Sequence, residues 1–267
     1  SDLCVIILGA VKQRFSGVME PADVLNLGGM LMKKFWTLAL ILCLALSLTA
    51  CGGSGATSDN GGTGGQTAEL ESTGFELTAV LASEPATLDP ALNWTTDGGT
   101  YILHMFEGLM KQGQPEADGG VAEIVCGQAE SYDISEDGLT YTFNLRDDIF
   151  WSDGEPVTAG DFVYAWRRLV TPETASYYGY LLDVVENGAA VYNGEMDPEE
   201  LGISAPDDRT VVVQLHDPCA YFLEICANFA TVPVREDLIT QVGDGWASSP
   251  DTYVGNGPYK MSEWVHD

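Results

Sequence analysis

The side chains able to do chemistry in this 267-residue chain are plentiful in number and sparse in pattern. Asp133, Ser135, Asp137 and Gly138 fall at loop positions one, three, five and six of a calcium-binding hand. The twelfth position is Asn144, where such a loop needs a bidentate glutamate, so calcium is not expected. His104 stands alone on an apolar stretch and reads as structural. With 40 acidic residues some pair always resembles a glycosidase dyad, yet nothing singles one pair out. No GxSxG elbow, phosphate loop, dinucleotide fingerprint or HExxH follows Cys51. Residue chemistry therefore points away from an enzyme, and no cofactor or metal is implied.

Cysteine carries the one clear chemical signal. Met32-Lys33-Lys34 opens an uncharged run, Phe35 to Ala50, which closes on Leu48-Thr49-Ala50-Cys51. A basic start, a short apolar core and small residues before a cut are the parts of a secretory signal. A spanning helix needs about 20 apolar residues, and this run is shorter. The LTAC sequence resembles the lipobox of bacterial lipoproteins, which implies that Cys51 is acylated and becomes the mature N-terminus. Two acyl chains then supply the double hydrophobic anchor that a single chain cannot. Cys126, Cys219 and Cys226 are an odd set, and Cys226 reads as a small apolar packing residue.

The flanks follow from that segment. Gly28-Gly29 precedes Met30 and Met32, as a translated ribosome-binding site would, so 1–29 reads as leader and 30–50 as signal peptide; a genuine cytoplasmic extension is the alternative. From Cys51 to Glu71 the chain is mostly glycine, serine and threonine, a flexible tether with a reach of roughly 25 Å for about twenty residues. From Cys51 onward 7 basic residues meet 37 acidic ones, a net of −30 on a chain that is −29 overall. Such a surface repels phosphate backbones, which excludes nucleic acid as a partner.

The body reads as strands and helices mixed with hairpins, a mixed α/β fold of α+β character. Phe75 to Ala82 alternates as a strand, and the prolines of Glu84 to Pro90 force an extended path. Tyr101 to Met110 has helical spacing. Ser131–Ile134 and Thr140–Leu145 flank a turn and predict a hairpin. Thr158 with Asp161 predicts a capped helix that buries Phe162, Trp166 and Leu169 and stops before Pro172. Asp197 to Glu200 predicts a short helix, Thr210 to Leu215 a strand and Tyr221 to Asn228 a helix. Gly255 to Pro258 predicts a turn into a last strand.

Several phrases together are more specific than any single motif: EPATLDPA (84–91), FEGLM (106–110), the run from Ala129 to Ser176, EELGISAPDDRTVVVQL (199–215), PCAYFLEI (218–225) and GNGPYKMSEW (255–264). In order and spacing they resemble the oligopeptide-binding proteins among the family 5 extracytoplasmic solute receptors. The resemblance implies the first lobe of a bilobal, periplasmic-binding-protein-like fold that closes on its ligand as a hinged trap. It divides the body into a first part of that lobe at 72–106, an additional inserted domain at 107–234 and a second part of the lobe at 235–267. It also implies that the second lobe lies beyond this chain.

By the same resemblance Trp94, Thr95 and Thr96 line the peptide groove, where the ligand adds as an extended strand, and Tyr178 aligns with a groove tyrosine. The family often has an acidic residue where Trp94 stands. Packing beside Tyr177 and Tyr180 is the other reading of Tyr178. The implied function is peptide capture on the outer face of the cytoplasmic membrane, by a lipid-anchored monomer that delivers to the permease of an ABC importer. A receptor for dipeptides, nickel chelates, sugars or a peptide signal is the alternative within the family, and a surface-anchored hydrolase the alternative outside it.

Overall fold

The computed structural model describes residues 2–7, 11–16, 81, 83–115 and 120–265. Its strands are β1 (Asp2–Ile7), β2 (Val11–Ser16), β3 (Met110–Gln112), β4 (Ile124–Cys126), β5 (Ala129–Ile134), β6 (Thr140–Leu145), β7 (Ile203–Asp207), β8 (Thr210–Gln214) and β9 (Lys260–Val265). Its α-helices are α1 (Thr96–Met105), α2 (Ala159–Val170), α3 (Gly188–Tyr192), α4 (Phe222–Ile225) and α5 (Glu236–Val242). The signal segment at 30–50, Cys51, the tether at 51–71 and most of the strand expected at Phe75 to Ala82 lie outside the described residues. The antiparallel pair β1–β2, which continues onto β9, falls within the stretch read above as leader.

Alternation builds the central sheet, an antiparallel array in the spatial order β5-β6-β8-β7. Tyr141, Phe143 and Leu145 of β6 and Val211 and Val213 of β8 are buried, and the residues between them are not. The register places Tyr141 opposite Val213 and Phe143 opposite Val211, so one face collects the apolar side chains. Phe222 of α4 then joins sheet to helix. Its ring meets Tyr141 at 4.7 Å and Trp166 of α2 at 6.3 Å, both edge-on.

Helix α2 forms where its local signals say it should. The Asp161 carboxylate accepts from the Thr158 N–H at 2.8 Å and the Thr158 hydroxyl at 3.0 Å, a capping box. Phe162, Trp166 and Leu169 are buried, and the helix ends at Val170, two residues before Pro172.

Helix α1 departs from expectation at both ends: it spans Thr96 to Met105, not Tyr101 to Met110. It starts early because Thr95 caps it, accepting the Gly98 N–H at 3.1 Å. It stops early because the Gly255-Asn256-Gly257 segment docks on its end. Gly257 N–H reaches the Met105 carbonyl at 2.9 Å and Tyr259 N–H the His104 carbonyl at 3.2 Å, while Asn256 clasps the backbone of Glu107 with both ends of its amide. A Cβ on Gly255 would sit 2.0 Å from the Met105 carbonyl oxygen, so close approach dictates glycine there. Met110 consequently opens β3. The helix expected over Tyr221 to Asn228 shortens to α4, because the Asn228 side chain accepts the Ala230 N–H and starts a separate 3₁₀ turn.

One buried ion pair ties these pieces together. Asp89 accepts two hydrogen bonds from Arg168, at 2.8 and 2.6 Å, and one from the Trp246 indole at 2.9 Å. The three residues come from 72–106, 107–234 and 235–267, so the contact crosses both boundaries drawn in the sequence. Tyr253 adds a bond from its hydroxyl to the Leu88 carbonyl at 2.7 Å. Cys126, Cys219 and Cys226 are free thiols, and Cys226 is fully buried, as its reading as a packing residue requires.

Candidate functional site

The segment Asn93-Trp94-Thr95-Thr96 is organised by its first residue. Asn93 is buried, and its amide oxygen accepts from the Thr95 N–H at 3.2 Å and the Thr95 hydroxyl at 3.0 Å. Its amide nitrogen donates to the Thr95 carbonyl at 2.9 Å. A Cβ on Gly98 would fall 2.1 Å from the Asn93 amide oxygen, so the glycine lets this bracket close against α1.

The bracket assigns different work to its neighbours. The Thr95 hydroxyl gives its proton to Asn93 and accepts from Gly98, so it positions the segment. Thr96 is exposed at the first helical position, and its carbonyl accepts from the Thr100 hydroxyl at 2.9 Å. Trp94 projects outward with 60% of its surface exposed, which is unusual for the largest apolar side chain. Asp97 stands in the first turn of α1, where the helix dipole favours an anion, and Ser83 donates to it.

Tyr178 sits on a second support. Its ring is half-buried and meets Phe229 edge-on at 5.1 Å, Tyr177 edge-on at 5.3 Å and Tyr180 at 6.1 Å. Its N–H donates to the hydroxyl of buried Ser176, whose carbonyl accepts from the Tyr192 hydroxyl at 2.9 Å. Tyr177 and Tyr180 stay exposed.

Phe229 links the two supports, and sequence reading did not single it out. Its ring also lies against α1, where a Cβ on Gly99 would be 2.8 Å from it. The helix start with Trp94, Thr95 and Thr96 and the aromatic group around Tyr178 therefore share one intermediary. The only local signal for it was Asn228, an acceptor suited to starting a turn.

Among the described residues no group of three or more His, Cys, Asp or Glu side chains could hold a metal. His104 engages the Thr100 carbonyl and His216 the neighbouring Asp217, both exposed. Exposed aromatic rings beside a capped helix start offer apolar walls and a rigid frame to a small ligand.

A family model described as bacterial extracellular solute-binding proteins, family 5 Middle, matches residues 123–267. The dipeptide-binding protein DppE of Bacillus subtilis (strain 168) is 33% identical over 88% of this chain and 42% of its own length. The oligopeptide-binding protein OppA of the same organism is 36% identical over 88% of this chain and 41% of its own. Among solved structures, Haemophilus influenzae OppA in complex with the peptide RPPGFSPFR superposes with a TM-score of 0.64 and 36% identity, over 68% of this chain and 35% of that one. The chain thus spans well under half the length of the relatives it matches.

Proposed function

The chain belongs to the family 5 bacterial extracellular solute-binding proteins, and on that premise we propose that it forms one side of a two-lobed receptor that captures oligopeptides for an ABC importer. The observation that carries the reading is the shared support of Phe229, which sets the start of α1 and Tyr178 in one framework. The named relatives are binding proteins, which favours a receptor over a hydrolase. Trp94 and Tyr178 wall the groove; Thr95 holds the wall in place, and Thr96 presents it. An extended ligand gains affinity from backbone hydrogen bonds, while hydrated pockets tolerate many side chains. The first lobe comprises 72–106 and 235–267, with 107–234 as its additional domain.

In the receptor translated from the whole gene, Tyr178→Ala weakens peptide binding by about 1 kcal/mol or more, read by calorimetry. Unchanged affinity with a lowered melting temperature would reduce Tyr178 to a packing residue. A short-peptide preference is the second reading, since one relative is named for dipeptides. Titration with peptides of two to nine residues separates the two.

We place the receptor on the outer face of the cytoplasmic membrane through acylated Cys51, with the tether holding the body clear of the headgroups. Expressed in a bacterium from Met32, the protein is expected to fractionate with membranes, and Cys51→Ala is expected to remain uncleaved. Normal cleavage and membrane retention of that variant would remove the lipid anchor from the account.

A further inference from the structure

One face of α2 floors a groove of about 700 Å³ that the peptide-groove reading does not use. Tyr164, Arg167 and Thr171 succeed one another along it, with Arg168 beside them. Ser204 and Ala205 of β7 form one wall, and Glu199 and Glu236 contribute to the rim. None of Trp94, Thr95, Thr96 or Tyr178 lines it.

Its charges are only partly satisfied within the protein. Arg168 is committed to Asp89. Arg167 donates from one terminal nitrogen to the Glu199 carbonyl at 3.1 Å, and its guanidinium takes part in no ion pair among the described residues. The carboxylates of Glu199 and Glu236 take part in no ion pair among the described residues. The groove therefore presents a guanidinium with donors to spare and two carboxylates without cations, in a protein whose acidic excess leaves few free arginines. Burial pushes the Tyr164 phenol up, with Arg168 acting against the shift and Glu236 and Asp89 adding to it.

The occupant is constrained by the wall as well as by the charges. β7 is an edge strand, and edges invite an added strand. Here Pro206 removes a backbone donor and the register breaks between Ser204 and Asp207, so the edge is a poor template. A small molecule fits better than a polypeptide, and the volume is that of an ordinary small-ligand site. Arginine recognises carboxylates through paired donors, and an unpaired carboxylate recognises an ammonium.

We infer that this groove is a second binding site, for small zwitterions of the free amino acid or dipeptide class, with the ligand carboxylate on Arg167 and its ammonium on Glu236. The site is independent of the peptide groove, so either can fail without the other.

The test is an NMR titration of the 267-residue chain with glycylglycine, N-acetylglycylglycine and glycylglycine amide. Glycylglycine is expected to move the backbone signals of Tyr164, Thr171, Thr174 and Ser204, and each blocked form to bind at least ~10-fold more weakly, as loss of one charged hydrogen bond implies. Arg167→Lys, which keeps the charge and loses the fork, and Glu236→Gln, at an exposed helix start, are each expected to weaken glycylglycine by a similar factor. Glu236→Gln in the whole receptor leaves oligopeptide capture unchanged. Groove signals that stay still, or that respond equally to all three compounds, would overturn the site. So would undiminished binding in a folded Glu236→Gln variant.

Discussion

Asp89→Ala is expected to destabilise the fold by about 3–5 kcal/mol, the cost of stranding a buried charge. Asp89 is 1% exposed and the Arg168 side chain 15%. Removing the carboxylate orphans both terminal nitrogens of Arg168, the Trp246 indole N–H and the Ala91 N–H together. Trp246 and Ala91 are buried, so their two N–H groups have no water to turn to without opening the core. Asp89→Asn keeps an acceptor for Ala91 and loses the charge, so it falls between wild type and alanine. The double variant Asp89→Ala with Arg168→Ala is expected to cost less than the two single losses added, because neither charge is then left alone. Urea denaturation followed by circular dichroism reads wild type, the three single variants and the double variant. Additive losses would mean that the pair is incidental and that the LDP segment is held by packing alone.

Trp166→Ala is the second large loss, again about 3–5 kcal/mol, for a fully buried tryptophan truncated to a methyl group. Trp166 is 0% exposed, stands edge-on to Phe222, and donates from its indole to the Thr231 carbonyl at 2.9 Å. Two contributions are therefore mixed, a cavity and a lost hydrogen bond. Trp166→Phe separates them: it refills most of the space and leaves the Thr231 carbonyl without that donor. The phenylalanine variant is expected to recover all but about 1–3 kcal/mol, the cost of one unsatisfied buried acceptor. If alanine and phenylalanine destabilise equally, the hydrogen bond rather than the filled volume dominates, and the packing account of the α2–α4 contact is wrong.

What the sequence made legible was local. Helix α2 carries its own start in Thr158 and Asp161, its own stripe in Phe162, Trp166 and Leu169, and its own stop before Pro172. Strands β6 and β8 alternate cleanly enough to be read by eye, and β5 was legible through the turn that joins it to β6. Helix α1 was misplaced because its start holds Gly98 and Gly99, poor helix formers whose presence makes sense only against Asn93 and the ring of Phe229. Its end was misplaced because the groups that receive its last carbonyls arrive from Gly257 and Tyr259, far along the chain. β7 was missed because Pro206 argues against a strand unless the strand is known to be an edge. For the site, Trp94, Thr95, Thr96 and Tyr178 came from resemblance. The hydrogen bonds add that Thr95 caps α1, which resemblance alone did not say. Phe229 had no sequence signal of its own, since its significance lies in touching two segments distant in the chain.

The central claim is that this chain contributes one face of a shared peptide-binding cleft. The direct measurement is a calorimetric titration of one nonapeptide, RPPGFSPFR, into the 267-residue chain and, separately, into the receptor translated from the whole gene. The account predicts binding by the whole receptor at micromolar affinity or better. It predicts binding at least ~100-fold weaker by the chain alone, because half a cleft lacks both the opposing groups and the preorganised closure. Equal affinity in the two proteins, or a folded whole receptor that takes up no peptide of any length, would contradict it.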